Sequence, residues 1–349
     1  MNNIKIIFWL IFFSLLYFFL REISSILSPF IASMIIAYFL NPLTLKLEKI
    51  GVKRTYTVSI IVGGFFLCVG GGMIKVAPTL FDQVKQFILT VPQYQEYVSS
   101  NILPKLEVFI SKVSPKLAVD IKSRLAMVSS SFFDHILLII RNIFDSSIAI
   151  FNIIALILFT PILVFYLLRD WPSIIKNVEK LVPLTRKKLI FEQLRQVDVV
   201  LSAYVRGQIN VCFILSFFYV VSLSILGLNY FLLMGIITGF LTIIPYLGLM
   251  ISCLICSLIA LLQFSDMYHV FITFGIFILG YLLESYFLTP KIVGEKVGLH
   301  PVWIIFSLMS GGAIFGFWGM FFSIPIAAIV GVLIRSIIKW YLASHIYKK

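Results

Sequence analysis

The sequence predicts an all-α polytopic membrane protein, with about six full transmembrane helices and two broken or re-entrant helical hairpins, equivalent to about eight hydrophobic spans. Amphipathic helices are expected between the third and fourth spans. Three observations carry this reading. Hydrophobic residues fill 60% of the 349 positions and charged ones only 12%, about half the charged share of soluble domains. The uncharged stretches are long, reaching 59 residues from Gly207 to Ser265. The basic excess, 28 Lys and Arg against 15 Asp and Glu, sits in short segments flanking those stretches. Such flanks are the anchors of the positive-inside rule and not a nucleic-acid surface.

A helix needs about 20 apolar residues to cross the hydrocarbon core. Residues 6–20, 23–45 and 55–74 each support one crossing, which makes residues 1–77 a block of three transmembrane helices. The first run follows Lys5 and lacks a small-x-small cleavage site at Phe18-Phe19-Leu20-Arg21-Glu22, so it is expected to be a retained span. Lys46, Lys49, Lys53 and Arg54 between the second and third spans mark the cytoplasmic side.

Residues 78–145 are nearly neutral and are expected outside. Leu80, Phe81, Val84, Phe87 and Ile88, then Leu106, Phe109, Ile110 and Val113, recur at helical spacing. They predict amphipathic helices on the outer membrane face or against a neighbouring subunit. Residues 146–168 form the fourth span, and the basic segment 169–206 is a cytoplasmic helical linker. Gly63-Gly64 and Gly70-Gly71-Gly72 read as helix-packing surfaces of the third span.

The transport core is expected over 207–338, with a cytoplasmic tail at 339–349. After a crossing over 208–226, the apolar run breaks at Gly227-Leu228-Asn229 and again at Ile244-Pro245-Tyr246-Leu247-Gly248. The pieces between are short for full spans. They form either a re-entrant hairpin over 230–263 or one long span kinked at Pro245. A crossing over 267–289 follows, and then a second broken run over 302–335, interrupted by Gly311, Gly312, Gly316, Gly319 and Pro325. If both breaks are hairpins, Lys291 lies inside; if both are full spans, it lies outside, and the positive-inside rule favours hairpins. Both models place both termini in the cytoplasm.

Backbone that leaves the helix at membrane depth is tolerated only where protein buries it or a wet cavity meets it. Two such interruptions entering from opposite faces point to a transporter binding site. Pro245, Gly248, Gly311, Gly312 and Gly316 are accordingly candidate substrate-binding positions, at hairpin tips where freed N–H and C=O groups can meet a polar solute. Glu284 is the sixth candidate. It follows 17 uncharged residues from Met267 to Leu283, and a carboxylate at that depth faces a cavity, finds a partner or takes up a proton. An ion pair with Lys291 or Arg206 is the structural alternative. Asn210, Thr238, Thr242 and Ser323 are weaker candidates, because hydroxyls and amides in such helices commonly bond the helix backbone.

Enzyme chemistry finds no support. No nucleotide-binding G-x-x-x-x-G-K-[ST], no H-E-x-x-H, no G-x-S-x-G and no paired Asp cluster occurs. No cofactor and no metal site is expected: the histidines are scattered, and Cys68, Cys212, Cys253 and Cys256 all lie in apolar runs.

The chain resembles the autoinducer-2 exporter family of PerM-like permeases. The matching residues are Ile244-Pro245-Tyr246-Leu247-Gly248; Glu284, Leu288, Pro290-Lys291-Ile292-Val293-Gly294 and Leu299-His300-Pro301; and Gly311-Gly312, Phe315-Gly316, Gly319 and Pro325. The resemblance implies a multi-pass, homo-oligomeric transporter of the bacterial inner membrane, with two hairpins shaping the substrate site and an elevator-type movement. Some members are credited with exporting autoinducer-2 and others resemble cation/proton antiporters. The expected partners are therefore a small-molecule or ion substrate, the lipid bilayer and further copies of the chain, with no nucleic acid.

Overall fold

The computed structural model describes residues 24–111, 147–183, 187–293 and 299–343, with isolated positions at 9, 14, 15, 127, 131, 134, 138 and 347. The expected first span over 6–20 and most of 112–146 lie outside the described residues. Where the chain is described, it is helical and without strands. The elements are α1 (Ser24–Glu48), α2 (Arg54–Tyr97) with a π-helical turn (Val98–Ile102), α3 (Leu103–Ser111), α4 (Ser147–Leu181), α5 (Lys187–Ile225), α6 (Phe231–Leu241), α7 (Leu247–Phe264), α8 (Met267–Leu282) with a π-helical continuation (Leu283–Val293), and α9 (Pro301–Ala343). Among the described residues seven helices are long and apolar enough to cross a membrane. The protein is an all-α polytopic membrane protein.

The chain divides into two compact units, Met1–Gly71 with Leu138–Val178, and Gly72–Leu137 with Glu179–Lys349. In the first, Ala37 and Leu40 of α1, Val58 and Val62 of α2, and Val164 and Leu168 of α4 make a shared core. Helix α4 runs through Pro172, which has no N–H to offer the Leu168 carbonyl one turn back. Arg54 supplies the missing donor, its Nε lying 2.9 Å from Leu168 O, while Nη1 donates to both carboxylate oxygens of Glu48 at 3.0 Å. One side chain thereby ties the end of α1, the start of α2 and the proline-opened turn of α4 together at the expected cytoplasmic boundary.

Helix α2 has 44 residues, about 66 Å at 1.5 Å per residue and more than twice the hydrocarbon thickness. The third span and the start of the expected amphipathic segment are thus one helix. Its far end belongs to the second unit, where Phe87, Val91 and Tyr94 are buried. The ring of Tyr230, at the entry of α6, stands 5.5 Å from that of Phe87. Of the expected stripe Phe87 therefore packs within its own chain, while Phe81 stays exposed.

The second unit is organised by α5. Val200, Tyr204, Val211, Leu215, Tyr219 and Leu223 are buried at steps of four or seven residues, so one stripe of α5 is covered along most of its length. Helices α6, α8 with its π-helical continuation, and α9 all pack on it.

Candidate transport site

Helix α6 returns along α5 by close backbone approach. A Cβ added to Gly235 would lie 2.6 Å from the Val220 backbone nitrogen, and one added to Gly239 would lie 2.4 Å from that of Ser216. The contacts run in opposite order along the two helices, so α6 is antiparallel to α5. This Gly235-x-x-x-Gly239 pair is a small-x-x-x-small packing face that the sequence reading passed over, although its spacing is visible in the chain.

The first hairpin tip follows at 242–246. Gln208 Nε2 donates to Thr242 O at 3.2 Å, and Cys212 Sγ lies 4.0 Å from Thr242 Oγ1, so α5 holds the tip from below. Tyr246 takes φ 67° and ψ −48°, a turn that Pro245 and the start of α7 impose together. Gly248 is buried because α7 leaves the tip directly over the end of α6: a Cβ there would sit 2.2 Å from Leu241 O. Helix α7 then runs back to the entry of the hairpin, where Gln263 Oε1 accepts from the Asn229 amide and Gln263 Nε2 donates to Gly227 O, both at 2.7 Å. The segment returns to the side it entered from, which is the re-entrant form and not a kinked full span.

The second hairpin is folded within α9. Gly316 has φ 60° and ψ −140°, a backbone state open to glycine and strongly disfavoured for other residues. It reverses the chain between arms 301–315 and 317–343. Gly311 and Gly319, too far apart in sequence to touch on one straight helix, meet backbone to backbone: a Cβ on Gly311 would lie 2.4 Å from Gly319 O. Gly312 has Met320 Cγ as its nearest neighbour, 3.1 Å from the same construction. At the other end, Leu299 Cδ2 lies 3.2 Å from a Cβ on Gly331, so this segment also returns to its own side. A cleft of about 840 Å³ lies between the arms, walled by Trp303, Phe306, Phe315, Trp318 and Phe322, with Arg335 at one end.

Glu284 is the second residue of the π-helical stretch that continues α8. One helical turn before it, Gly280 is pressed against Tyr219: a Cβ there would fall 2.2 Å from the Tyr219 hydroxyl. Glu284 is close enough to Tyr219 and Cys212 to couple electrostatically with both. Neither alternative ion pair forms. Among the described residues Glu284 makes no salt bridge or hydrogen bond, while Arg206 donates to Ser202 O at 2.8 Å. The Tyr219 hydroxyl is buried without a hydrogen-bond partner. The partnerless Tyr219 hydroxyl thus lies against Gly280, one turn before Glu284, on the stripe of α5 that also carries Cys212.

Of the six candidates, Pro245 and Gly248 lie at the first tip, Gly311, Gly312 and Gly316 at the second, and Glu284 beside Cys212 and Tyr219. Helix α5 anchors the first tip and carries Cys212 and Tyr219, whereas the second hairpin comes beside it at Val332 and Arg335, away from its own tip. Thr238, Thr242 and Ser323 donate to Met234 O, Gly239 O and Met320 O of their own helices, so their hydroxyls are already engaged, whereas Asn210 is exposed. Tyr219 was missed by the sequence reading, since a tyrosine in an apolar run carries no mark distinguishing it from a core aromatic. The glycines of α2 differ: no heavy atom lies within 4 Å of a Cβ built at Gly63, Gly64, Gly70, Gly71 or Gly72, so none of the described residues of the chain packs closely on them.

Comparison with known proteins gives one consistent answer. Residues 6–339 match the model of the family described as AI-2E family transporter. YrrI of Bacillus subtilis (strain 168) is 31% identical over 314 residues, covering 89% of this chain and 86% of that protein. PerM of Escherichia coli (strain K12) is 25% identical over 339 residues, covering 93% and 90%. The AI-2 transport protein TqsA of the same strain is 24% identical over 340 residues, covering 96% and 93%.

Proposed function

Because the chain belongs to the AI-2E family of transporters, we propose that it is a secondary permease of the bacterial inner membrane. It exports a small polar solute of the autoinducer-2 type, the class named for its relative TqsA. The observation that carries this reading is the pair of re-entrant hairpins, one closed at its base by Gln263 and the other reversed at Gly316. Tips of this kind offer unpaired backbone groups at membrane depth, which suits a solute with several hydroxyls and no net charge. Pro245, Gly248, Gly311, Gly312 and Gly316 form the tips in this reading, and Glu284 with Tyr219 supplies side-chain contacts. Without a nucleotide motif in the sequence, transport draws on a solute or ion gradient. The hairpins move as a body in an elevator-type cycle, within a homo-oligomer whose termini face the cytoplasm.

One observation favours a second reading. A carboxylate without a counter-charge among the described residues suits a proton or monovalent cation, which would make the protein a cation/proton antiporter. Proteoliposome flux separates the two. Saturable movement of an autoinducer-2-type solute, accelerated by an imposed proton gradient, supports the first. Cation-for-proton exchange without solute movement supports the second, and flux that is linear and uncoupled means a channel and overturns both.

A further inference from the structure

Resting on the transport reading above, we propose that α2 is a jointed lever on the first hairpin, with Gly70-Gly71-Gly72 as its hinge and Gln83, Phe87 and Thr90 as its grip. Glycine weakens a helix relative to alanine because it gives up more backbone freedom on folding. Helices keep glycine where a neighbour must come close, as at Gly235, Gly239 and Gly280. Around the triplet in α2 there is open space at each position. Three consecutive glycines that no described residue of the chain touches leave bending as what their missing side chains provide, and glycines are among the residues at which helices kink.

The boundary between the two compact units falls between Gly71 and Gly72, within the triplet. Each side of it is fastened to its own unit. On the near side, Val58 and Val62 are buried in the first core and Arg54 holds the Leu168 carbonyl. On the far side, Gln83 Oε1 accepts from the Leu233 amide at 2.9 Å. That amide is one of the first in α6, which have no partner inside their own helix. Thr90 Oγ1 lies 3.0 Å from the hydroxyl of Tyr230, whose ring also packs on Phe87. Tyr230 has φ 61° and is the residue on which the chain turns into the hairpin. The far half of α2 is thus bonded to the entry of α6, and bending at the triplet carries the hairpin with it.

The test uses the full-length protein in liposomes, with the native cysteines replaced and spin labels at Leu67 and Leu89, both exposed and about 33 Å apart along an unbroken helix. A broad or two-peaked distance distribution is expected, collapsing to a single peak near that length in G70A/G71A/G72A. The same triple variant should melt no lower than the parent, since alanine fits the open space, and should carry solute about fivefold more slowly or worse. A single narrow distribution in the parent overturns the hinge. Bridging cysteines at Thr90 and Tyr230 with a short bifunctional thiol reagent should leave flux intact, because the two move together; loss of flux on bridging overturns the grip. The distances need no substrate, so a parent that moves no solute would sink the transport reading without touching the hinge.

Discussion

Glu284 and Tyr219 combine two features that rarely coincide in a membrane interior: polar chemistry and no hydrogen-bond partner within the described chain. A carboxylate or hydroxyl left unsatisfied in apolar surroundings costs free energy, so its retention calls for a use outside the folded chain itself. The interfacial pair Asp266 and His269 makes the contrast. There the carboxylate accepts from the His269 amide at 3.0 Å and faces its Nδ1 at 2.8 Å, contacts that hold Asp266 below the ordinary carboxylate range and leave it fully engaged. Glu284 has nothing comparable. Glu284→Gln keeps the shape and removes the charge, and it is expected to lower solute flux in proteoliposomes by about tenfold or more and to flatten its pH dependence. Wild-type flux with the parent pH profile would assign Glu284 to a passive place in the wall.

The glycines decide how these helices meet, and they are of two kinds. At Gly239 an added methyl would lie 2.1 Å from Ser216 Oγ and 2.4 Å from the Ser216 backbone nitrogen, whereas at Gly275 nothing lies within 4 Å. Gly239→Ala must therefore push α6 off α5, a cost of about 1–3 kcal/mol. Gly275→Ala should gain about 0.5–1 kcal/mol from helix propensity alone. Thermal unfolding of the two variants in detergent should move in opposite directions, and a matching loss in both would mean that the α5–α6 contact is not the close one described. The same distinction explains what could be read in advance. Both breaks were legible because Pro245 and the Gly311 to Gly316 run interrupt apolar stretches too short or too broken to cross as plain helices, while hairpin against kinked span was left to the contacts of Gln263 and Gly316. Which glycines serve packing was not legible. Gly70-Gly71-Gly72 is conspicuous in sequence and touches none of the described residues, while Gly235 and Gly239, four positions apart, and the lone Gly280 meet a neighbour directly. Adjacency along the chain does not reveal which side of a helix another helix will cover.

At the scale of the molecule, the returning hairpins fix how many times the second half of the chain crosses the bilayer. Gln263 brings the end of α7 back to Gly227 and Asn229, so only α5 and α8 change sides between Lys187 and Lys291. With Lys187 and Lys188 expected inside by the positive-inside rule, the loop at Ser265 and Asp266 is expected to face outward and Lys291 to face the cytoplasm. The second hairpin then returns inward, and the basic end of α9, with Arg335 and Lys339, stays with the cytoplasmic charges. Had α6 through α7 been one kinked span, Ser265 and Lys291 would exchange sides. Single cysteines at Ser265 and Lys291, in a background lacking Cys68, Cys212, Cys253 and Cys256, distinguish the two by labelling intact cells with a membrane-impermeant maleimide. Ser265→Cys is expected to react from outside and Lys291→Cys only after the membrane is opened. The reverse pattern would make α6 through α7 one kinked span and take the first tip out of the transport site.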